Sequence, residues 1–582
     1  MCGIFVAHGM TKPFSHRLLR SMRKRGPDSV GFWSNGVVRM AHTRLAIIGL
    51  DERGEEPMES DTHVLVYNGE TYNFHDINQK LAAQGIHLRG ANDAEVLLHA
   101  WRLWGESILR EMDGFWAFSI YDKIQNKLYL VRDQLGVKPL YYWRSKNGFG
   151  AASLMRTLLE FMDEPPELDY QALSEYVRYQ FTFGDKTFIK QIHKVLPGHI
   201  IELDLNSGEM TDRCYEDILN VKIGEKRELT PQWMEETREL IKECAIASTI
   251  SDTSFTTFCS GGLDSSLITR LTSPEIAYHA NFTDTECNET YYARRVVENT
   301  STRLFVVNAE EDFNLIEKLD DILDDFDELT IGSVILPLDD LLAQVKRRYK
   351  VILTGTGGDE LFAGYARYQI VLGECYQDSY KALFNKVRHL PTAGERFEAT
   401  HTKGDVHLYP FYDPTVQNTF KDAFEQCCID NNDLDAMLRF DRRYFLPGLL
   451  NIDDKMCGRH SLESRPSFLH QKLVRHMQNL DSNAFLRSGE LKPLLRDLAE
   501  GILPKAVIQR TDKMGFTTPI GTFVNQNAHL IREQITNSPF RHLYHIEKMN
   551  LTAETKFSRE VFGLLMLDLW LNKYAQKDKS SS

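Results

Sequence analysis

Ser260-Gly261-Gly262-Leu263-Asp264-Ser265-Ser266 follows the short apolar run Phe255-Thr256-Thr257-Phe258-Cys259 and leads into a helical pattern over 263–271. The order is strand, glycine turn, helix. The glycines let the backbone turn sharply and offer bare N–H groups, and Ser260, Ser265 and Ser266 add hydroxyl donors. A helix starting there brings the positive end of its dipole to the same spot. These are the parts of a phosphate or pyrophosphate cradle. The stretch lacks the lysine of the G-x-x-x-x-G-K-[ST] loop and is a different device. A serine-rich turn is the plain alternative; turn, hydroxyls and the acid Asp264 in one context favour the cradle.

Outward from the loop, strands and helices alternate. Thr230-Pro231 opens a helix that runs to about 248, with Thr as N-cap and Pro at its first position. Residues 276–282, 304–308 and 351–354 read as strands, 290–300 and 339–348 as helices. Such alternation predicts a parallel sheet with right-handed crossovers, whose ligands bind beyond the C-terminal strand ends. A second glycine turn stands there: Thr354-Gly355-Thr356-Gly357-Gly358-Asp359-Glu360. Asp264 and Asp359 could converge on one Mg2+, a cation that takes hard oxygen ligands and phosphates; a loop with a helix-capping acid is the alternative. After Arg367 strand signals become rare and the remainder reads mostly helical. Asp453-Asp454-Lys455-Met456, the stretch 461–469 and Asp512-Lys513-Met514-Gly515-Phe516 set charges among apolar residues or beside a glycine turn. A lysine such as Lys513, aimed at phosphates, would stabilise a leaving pyrophosphate. A solvated charged loop explains each stretch equally well.

The chain has 582 residues, enough for several full cores. Lys+Arg total 68 against 82 Asp+Glu, a net charge of −14, which argues against a nucleic-acid backbone as partner. Nine scattered cysteines without a C-x-x-C pair predict reduced thiols, no zinc site and a cytoplasmic setting. No apolar stretch is long enough to span a bilayer, and residues 1–10 lack the pattern of a secretory signal.

The first residues are Met1-Cys2-Gly3-Ile4-Phe5-Val6. Removal of Met1 would leave a thiol beside a free α-amine whose reference pKa is about 7.7–8.0. Nucleophile and general base would then belong to one residue. Gly3 and the apolar residues after it predict an anchored strand. Arg25-Gly26-Pro27-Asp28 is a turn, and Arg44 sits on an otherwise apolar segment. Residues 64–67 form a strand running into Asn68-Gly69-Glu70, where an Asn side chain and a Gly N–H could make an oxyanion hole. Asp93 begins a helix. Strand-like runs at 115–121, 128–132 and 140–143 predict antiparallel sheets with helices outside. Singly, Arg44 could be a surface cation, Asn68-Gly69 a hairpin turn and Asp93 a helix cap.

Taken together with Cys2, these residues resemble the class II glutamine amidotransferase domain, an α+β N-terminal-nucleophile fold with αββα layers, over residues 1–205. The glycine loop at 260–266 resembles that of the ATP pyrophosphatases, and residues 230–582 then form an α/β parallel-sheet domain with a helical C-terminal part. A linker is expected over 206–229. The order of amidotransferase domain, pyrophosphate loop, Thr-Gly-x-Gly-Gly-Asp-Glu and Lys-Met-Gly-Phe resembles the glutamine-hydrolysing asparagine synthetase family along nearly the whole chain. The resemblance implies that Cys2 attacks the glutamine amide while Asn68 and Gly69 hold the oxyanion. It implies that Arg44 binds the glutamine carboxylate and Glu70 and Asp93 its ammonium. ATP and Mg2+ would be bound by Cys259, Ser260, Gly261, Gly262, Asp264, Ser265, Ser266, Ala280, Thr354, Gly355 and Lys513, with Asp264 and Asp359 on the metal. Ammonia would pass through an internal tunnel to an acyl adenylate, giving amide, AMP and pyrophosphate. A homodimer is compatible with this reading.

The chain departs from the family in three places. Thr356 stands where an acid is usual, residues 330–333 lack an expected arginine, and Leu469-His470 replaces Leu-Asp. All three are expected to alter the acceptor pocket. Aspartate is the default acceptor, with a sugar uronate or secondary-metabolite acid as rival. A glutaminase or scaffold protein with an inactive synthetase half is the alternative of a different class.

Overall fold

In β1 (Gly3–His8), Ile4 and Val6 face one apolar cluster while Phe5 and Ala7 face another. Further along, Val64 and Val66 join Ile4 and Val6, whereas Leu65 and Tyr67 pack with Phe74, Leu97 and Trp101. A strand buried on both faces is apolar at successive positions, so these segments read as unbroken apolar runs. The computed structural model describes residues 1–9, 16–90, 92–146, 148–219, 226–282, 288–310, 312–330, 332–374, 380–430, 432–511, 518–548, 551–553, 555 and 559–575.

The strands after β1 are β2 (Ser29–Ser34), β3 (Val38–Arg44), β4 (Met58–Glu59), β5 (His63–Thr71), β6 (Gly114–Asp122), β7 (Lys127–Arg132), β8 (Tyr141–Arg144), β9 (Phe149–Ala152), β10 (Ile192–Lys194), β11 (His199–Asp204) and β12 (Met210–Cys214). They form two six-stranded antiparallel sheets, ordered β10-β8-β9-β1-β3-β2 and β12-β11-β7-β6-β5-β4. Helices His16–Arg23 and Met155–Phe161 lie on the first sheet, and Asp93–Trp104 lies on the second with Phe74–Ala83 beside it. This is the α+β, αββα layering. β12 falls inside the stretch read as linker. The turn Asn206-Ser207-Gly208 is the tip of the β11–β12 hairpin, its Asn206 and Ser207 amides donating to Asp204 Oδ1. A polar hairpin tip and a polar linker share one composition.

The second half is built on a five-stranded parallel sheet, β15-β14-β13-β16-β17. Its strands are β13 (Phe255–Phe258), β14 (Ile276–Asn281), β15 (Arg303–Asn308), β16 (Val351–Thr354) and β17 (Glu463–Pro466). β17 is a short strand within the mostly helical C-terminal part, and its own sequence did not reveal it. Glu463-Ser464-Arg465-Pro466 has no β-propensity to announce it; pairing with β16 makes it a strand. Elsewhere beyond β16 the chain is mainly helical. No described helix is long and apolar enough to cross a membrane. The seven cysteines among the described residues are unpaired.

The halves meet across buried charge. The wholly buried Arg465 donates from Nη2 to Glu70 Oε2 of β5 at 2.6 Å, from Nε to Glu463 at 2.8 Å, and from Nη1 to the Ser248 and Ile250 carbonyls at 2.9 and 2.6 Å. Burial pushes Glu463 up, but Lys138 and Arg465 outweigh it and hold the carboxyl down to about 2. Burial raises Glu70 well above the usual range against the pull of the same arginine. Arg465→Met strips two buried acids of their partner and is expected to cost about 3–5 kcal/mol, read as a lowered melting temperature in scanning calorimetry. A variant that melts with the wild type would show the cluster to be energetically idle.

Candidate active site

Cys2 sits just before β1, half-buried. The Leu45 amide donates to its Sγ at 3.5 Å, and Arg25 Nε donates to its carbonyl at 2.9 Å. Burial pushes the thiol up. Met1 is wholly buried, and its amine donates to the Leu462 carbonyl at 3.2 Å. Burial lowers that amine to about 5, with Glu463 acting against the shift.

Asn68 lies within the second half of β5 with its side chain fully buried, and neither its Nδ2 nor its Oδ1 has a hydrogen-bond partner. A buried amide without partners carries a full desolvation cost, one shared by other buried groups such as Trp143 Nε1 and Trp233 Nε1. Gly69 pairs with Trp116, where a Cβ would meet the Phe115 carbonyl at 2.5 Å. Its lack of side chain is therefore also demanded by packing. Arg44, at the end of β3, donates to the Asp51 carbonyl at 2.8 Å and also to that of Gly49. Asp93 Oδ2 accepts from the Thr71 amide at 3.2 Å, and burial raises this carboxyl to about 6. Asn92, not Asp93, caps the helix, accepting from the Glu95 amide, so the cap does not account for Asp93. Glu70 turns one oxygen to Arg465, and its Oε1 has no partner. Sequence reading missed Glu56, a buried acid accepting from the Tyr67 amide at 2.5 Å. Burial raises it to about 8, with His42 acting against.

In the second half the two glycine turns follow β13 and β16, neighbours at the point where strand order reverses. They touch. A Cβ on Gly355 would lie 2.7 Å from Asp264 Cβ and 2.8 Å from the Ser265 amide, and one on Gly358 would lie 2.2 Å from Asp264 Oδ1. Gly261 has φ +77°, with Tyr292 and the Ala293 backbone packed against it. Ser260 and Ser265 hydroxyls are 3.0 Å apart. Cys259, Ser260, Gly262, Asp264, Ser265, Ala280, Thr354, Gly355, Thr356 and Asp359 all line one cavity of about 430 Å³. Gly261 and Ser266 do not, although Ser266 Oγ is buried without a partner. Lys513 lies outside the described residues.

Asp264 and Asp359 converge, and a residue that sequence reading missed stands between them. Lys492 Nζ bonds Asp264 Oδ2 and lies 2.9 Å from Asp359 Oδ1. Burial pushes this lysine down, but the two acids outweigh it and hold it above its ordinary range. Its φ of +54° at the start of helix Pro493–Leu498 left no sequence signal. Asp264 Oδ1 has no partner. Two carboxylates, one oxygen spare, fit a Mg2+ whose other ligands come from phosphates. No group of three or more His, Cys, Asp or Glu suited to a metal occurs among the described residues. Arg510, also missed, donates to Glu289 at 2.6 Å beside the first loop, 3.5 Å from the Gly261 carbonyl.

Helix Leu446–Arg459 joins the two sites, and its acids are no solvated loop. Asp454 is buried and paired with Arg25, the residue that holds the Cys2 carbonyl, at 2.6 and 3.2 Å. Its neighbour Asp453 lines the cavity and accepts from Thr356 Oγ1 at 2.5 Å. His470 does not line the cavity, whereas Leu469 before it packs on Gly357 of the second turn. His470 is buried between the halves, with Nδ1 3.2 Å from Asp113, Nε2 2.9 Å from Ser248 Oγ and its ring stacked on Tyr72. Of residues 330–333, Ser333 lines the cavity, Thr330 donates to the Gly448 carbonyl, and Ile331 lies outside the described residues.

Residues 1–216 match the family described as glutamine amidotransferase domain, and 236–572 match asparagine synthase. Asparagine synthetase [glutamine-hydrolyzing] 1 of Bacillus subtilis (strain 168) is 27% identical, the alignment covering 98% of this chain and 96% of that protein. Asparagine synthetase [glutamine-hydrolyzing] 3 of the same organism is 26% identical, covering 85% and 82%.

Because the loops are in contact, Gly355→Ala must move the first turn of helix Leu263–Thr272 and is expected to destabilise by about 1–3 kcal/mol. Gly448→Ala, whose Cβ would meet nothing closer than 3.5 Å, is expected to be neutral or mildly stabilising in its helix. Thermal melting of both variants checks the contrast.

Proposed function

The chain belongs to the asparagine synthase family, and on that footing we propose that it makes an amide from ammonia taken at Cys2 and a carboxylate activated by ATP in the 430 Å³ cavity. Aspartate is the acceptor this reading favours. Asn68, buried with both polar atoms unpartnered, supports an oxyanion role together with the Gly69 N–H. Arg44 would hold the glutamine carboxylate, and Asp93 with the spare oxygen of Glu70 its ammonium. Loss of Met1 would put the free amine on Cys2 itself and empty a buried position beside the thiol.

In the cavity, Ser260, Gly262 and Ser265 would cradle pyrophosphate, with Gly261 setting the turn and Ser266 in the first helical turn behind it. Cys259, Ala280, Thr354 and Gly355 would border the nucleoside, and Thr356 the acceptor. Mg2+ held by Asp264 and Asp359 would supply charge neutralisation for the phosphates. Lys513 is assigned to pyrophosphate by family position alone. One observation carries the coupling of the sites: the contact chain Cys2 carbonyl–Arg25–Asp454, with the adjacent Asp453 on Thr356. It supports passage of ammonia beside helix Leu446–Arg459, inside the protein, where the free base is kept from protonation. The same pair, Thr356 with Asp453, favours a second reading in which the acceptor is a carboxylic acid other than aspartate.

Incubation with glutamine, Mg·ATP and aspartate is expected to give asparagine, AMP and pyrophosphate in step. Pyrophosphate release with another acid only would replace aspartate and keep the mechanism; none with any acid would overturn the reading. Cys2→Ala is expected to abolish glutamine use and to spare synthesis from ammonium chloride.

The role given to Asp93 has a sign in pH. Burial raises the carboxyl to about 6, so it is neutral below that and an anion above. kcat/KM for glutamine is expected to climb between about pH 5 and 7. Asp93→Asn should remove that limb and lower the plateau about 10–100-fold.

A further inference from the structure

We infer that Asp453 is the base that takes the proton from the attacking ammonia nitrogen in the amide-forming step. The inference rests on the reading above that an acyl group is activated in this cavity. Four observations carry it. Asp453 lines the cavity between the two glycine loops, together with Thr354, Gly355 and Thr356. It accepts a hydrogen bond from Thr356 Oγ1 at 2.5 Å, and Thr354 Oγ1 in turn lies 3.3 Å from Thr356 Oγ1. No cation among the described residues pairs with it, although its neighbours Asp454 and Lys455 are each tied, to Arg25 and to Asp327. Burial, with Asp454 adding to it and the hydroxyls acting against, raises its carboxyl to about 6.

A carboxylate locked in an ion pair is a poor base; an unpaired one on a cavity wall, titrating near neutrality, is a good one. Among the acids and histidines of the described cavity wall, Asp264 and Asp359 are held by Lys492, Glu289 is paired with Arg510, and His279 has Nδ1 on the Cys259 carbonyl and Nε2 on Thr290. Glu360 accepts from the Tyr365 hydroxyl at 2.5 Å and burial raises it to about 7, so it resembles Asp453 electrostatically; its place in the second glycine turn, away from helix Leu446–Arg459, is what separates the two. Asp453 also belongs to the helix whose next residue, Asp454, faces Arg25 and the Cys2 side. It is thus the acid on the flank from which ammonia would arrive.

The chemistry needs such a group. The nitrogen lone pair of ammonia forms a C–N bond to the acyl carbon, and the carbonyl electrons move to oxygen. The nitrogen is then cationic. Its proton passes to a carboxylate oxygen of Asp453, directly or through the Thr356 hydroxyl. The carbonyl re-forms, the C–O bond to phosphate breaks, and AMP leaves with that electron pair. Thr356 orients the carboxylate but has no basicity of its own.

Asp453→Asn keeps the shape and removes the base. The test compares two rates on the same protein: amide formation from ammonium chloride, and ATP–pyrophosphate exchange dependent on the acid that drives pyrophosphate release in the wild type. Taking their ratio cancels any loss of folded protein. The ratio is expected to fall about 100-fold, with Asp453→Glu recovering part and Thr356→Val losing less. An unchanged ratio in Asp453→Asn overturns the inference and leaves the proposed function standing. Wild-type protein without acid-dependent exchange overturns the proposed function and the inference with it.

Discussion

The architecture depends on positive charge buried between its two halves. Arg465 and Arg25 lie out of water, and each holds a carboxylate from the other half, Glu70 and Asp454 respectively. Removing water from such groups is expensive unless their donors find acceptors, and Arg465 makes four hydrogen bonds, two of them to backbone carbonyls. The geometry that satisfies it fixes β5 against β17, hence the end of Asn68-Gly69-Glu70 against the sheet whose loops line the cavity. Closing the interface and aligning the two sites are one event.

The second constraint is steric. Adjacent parallel strands set the two glycine turns side by side, and their Cβ-free positions let the backbones pass within van der Waals contact of Asp264. The cavity is therefore assembled from sheet topology rather than from flexible loops, which keeps Asp264, Asp359 and Thr356 in register.

Local signals were legible. Residues 4–7 of β1 and 64–67 of β5 are unbroken apolar runs because both faces are buried, and the loops at 260–266 and 354–360 carry glycines in the order of strand, turn and helix. What could not be read arises from distant partners. β17 is a strand only because β16 is beside it. Lys492 is 228 residues from Asp264 along the chain. His470 looked like a change in the acceptor pocket, yet its partners are Asp113 and Ser248. Asp453 stood out as a charge in an apolar setting, but nothing near it in sequence announces Thr356 as its partner.

Helix Leu446–Arg459 sets consecutive residues to different tasks, Asp453 on the cavity wall and Asp454 on Arg25 beside the Cys2 carbonyl. Successive side chains on a helix are turned by about 100°, so that division is set by rotation and cannot be altered on one side alone. Inserting or deleting a residue upstream would swing both acids at once, unseating Arg25 as well as Thr356. A change to either acid that leaves the other in place is therefore one of side chain, made at fixed helix length.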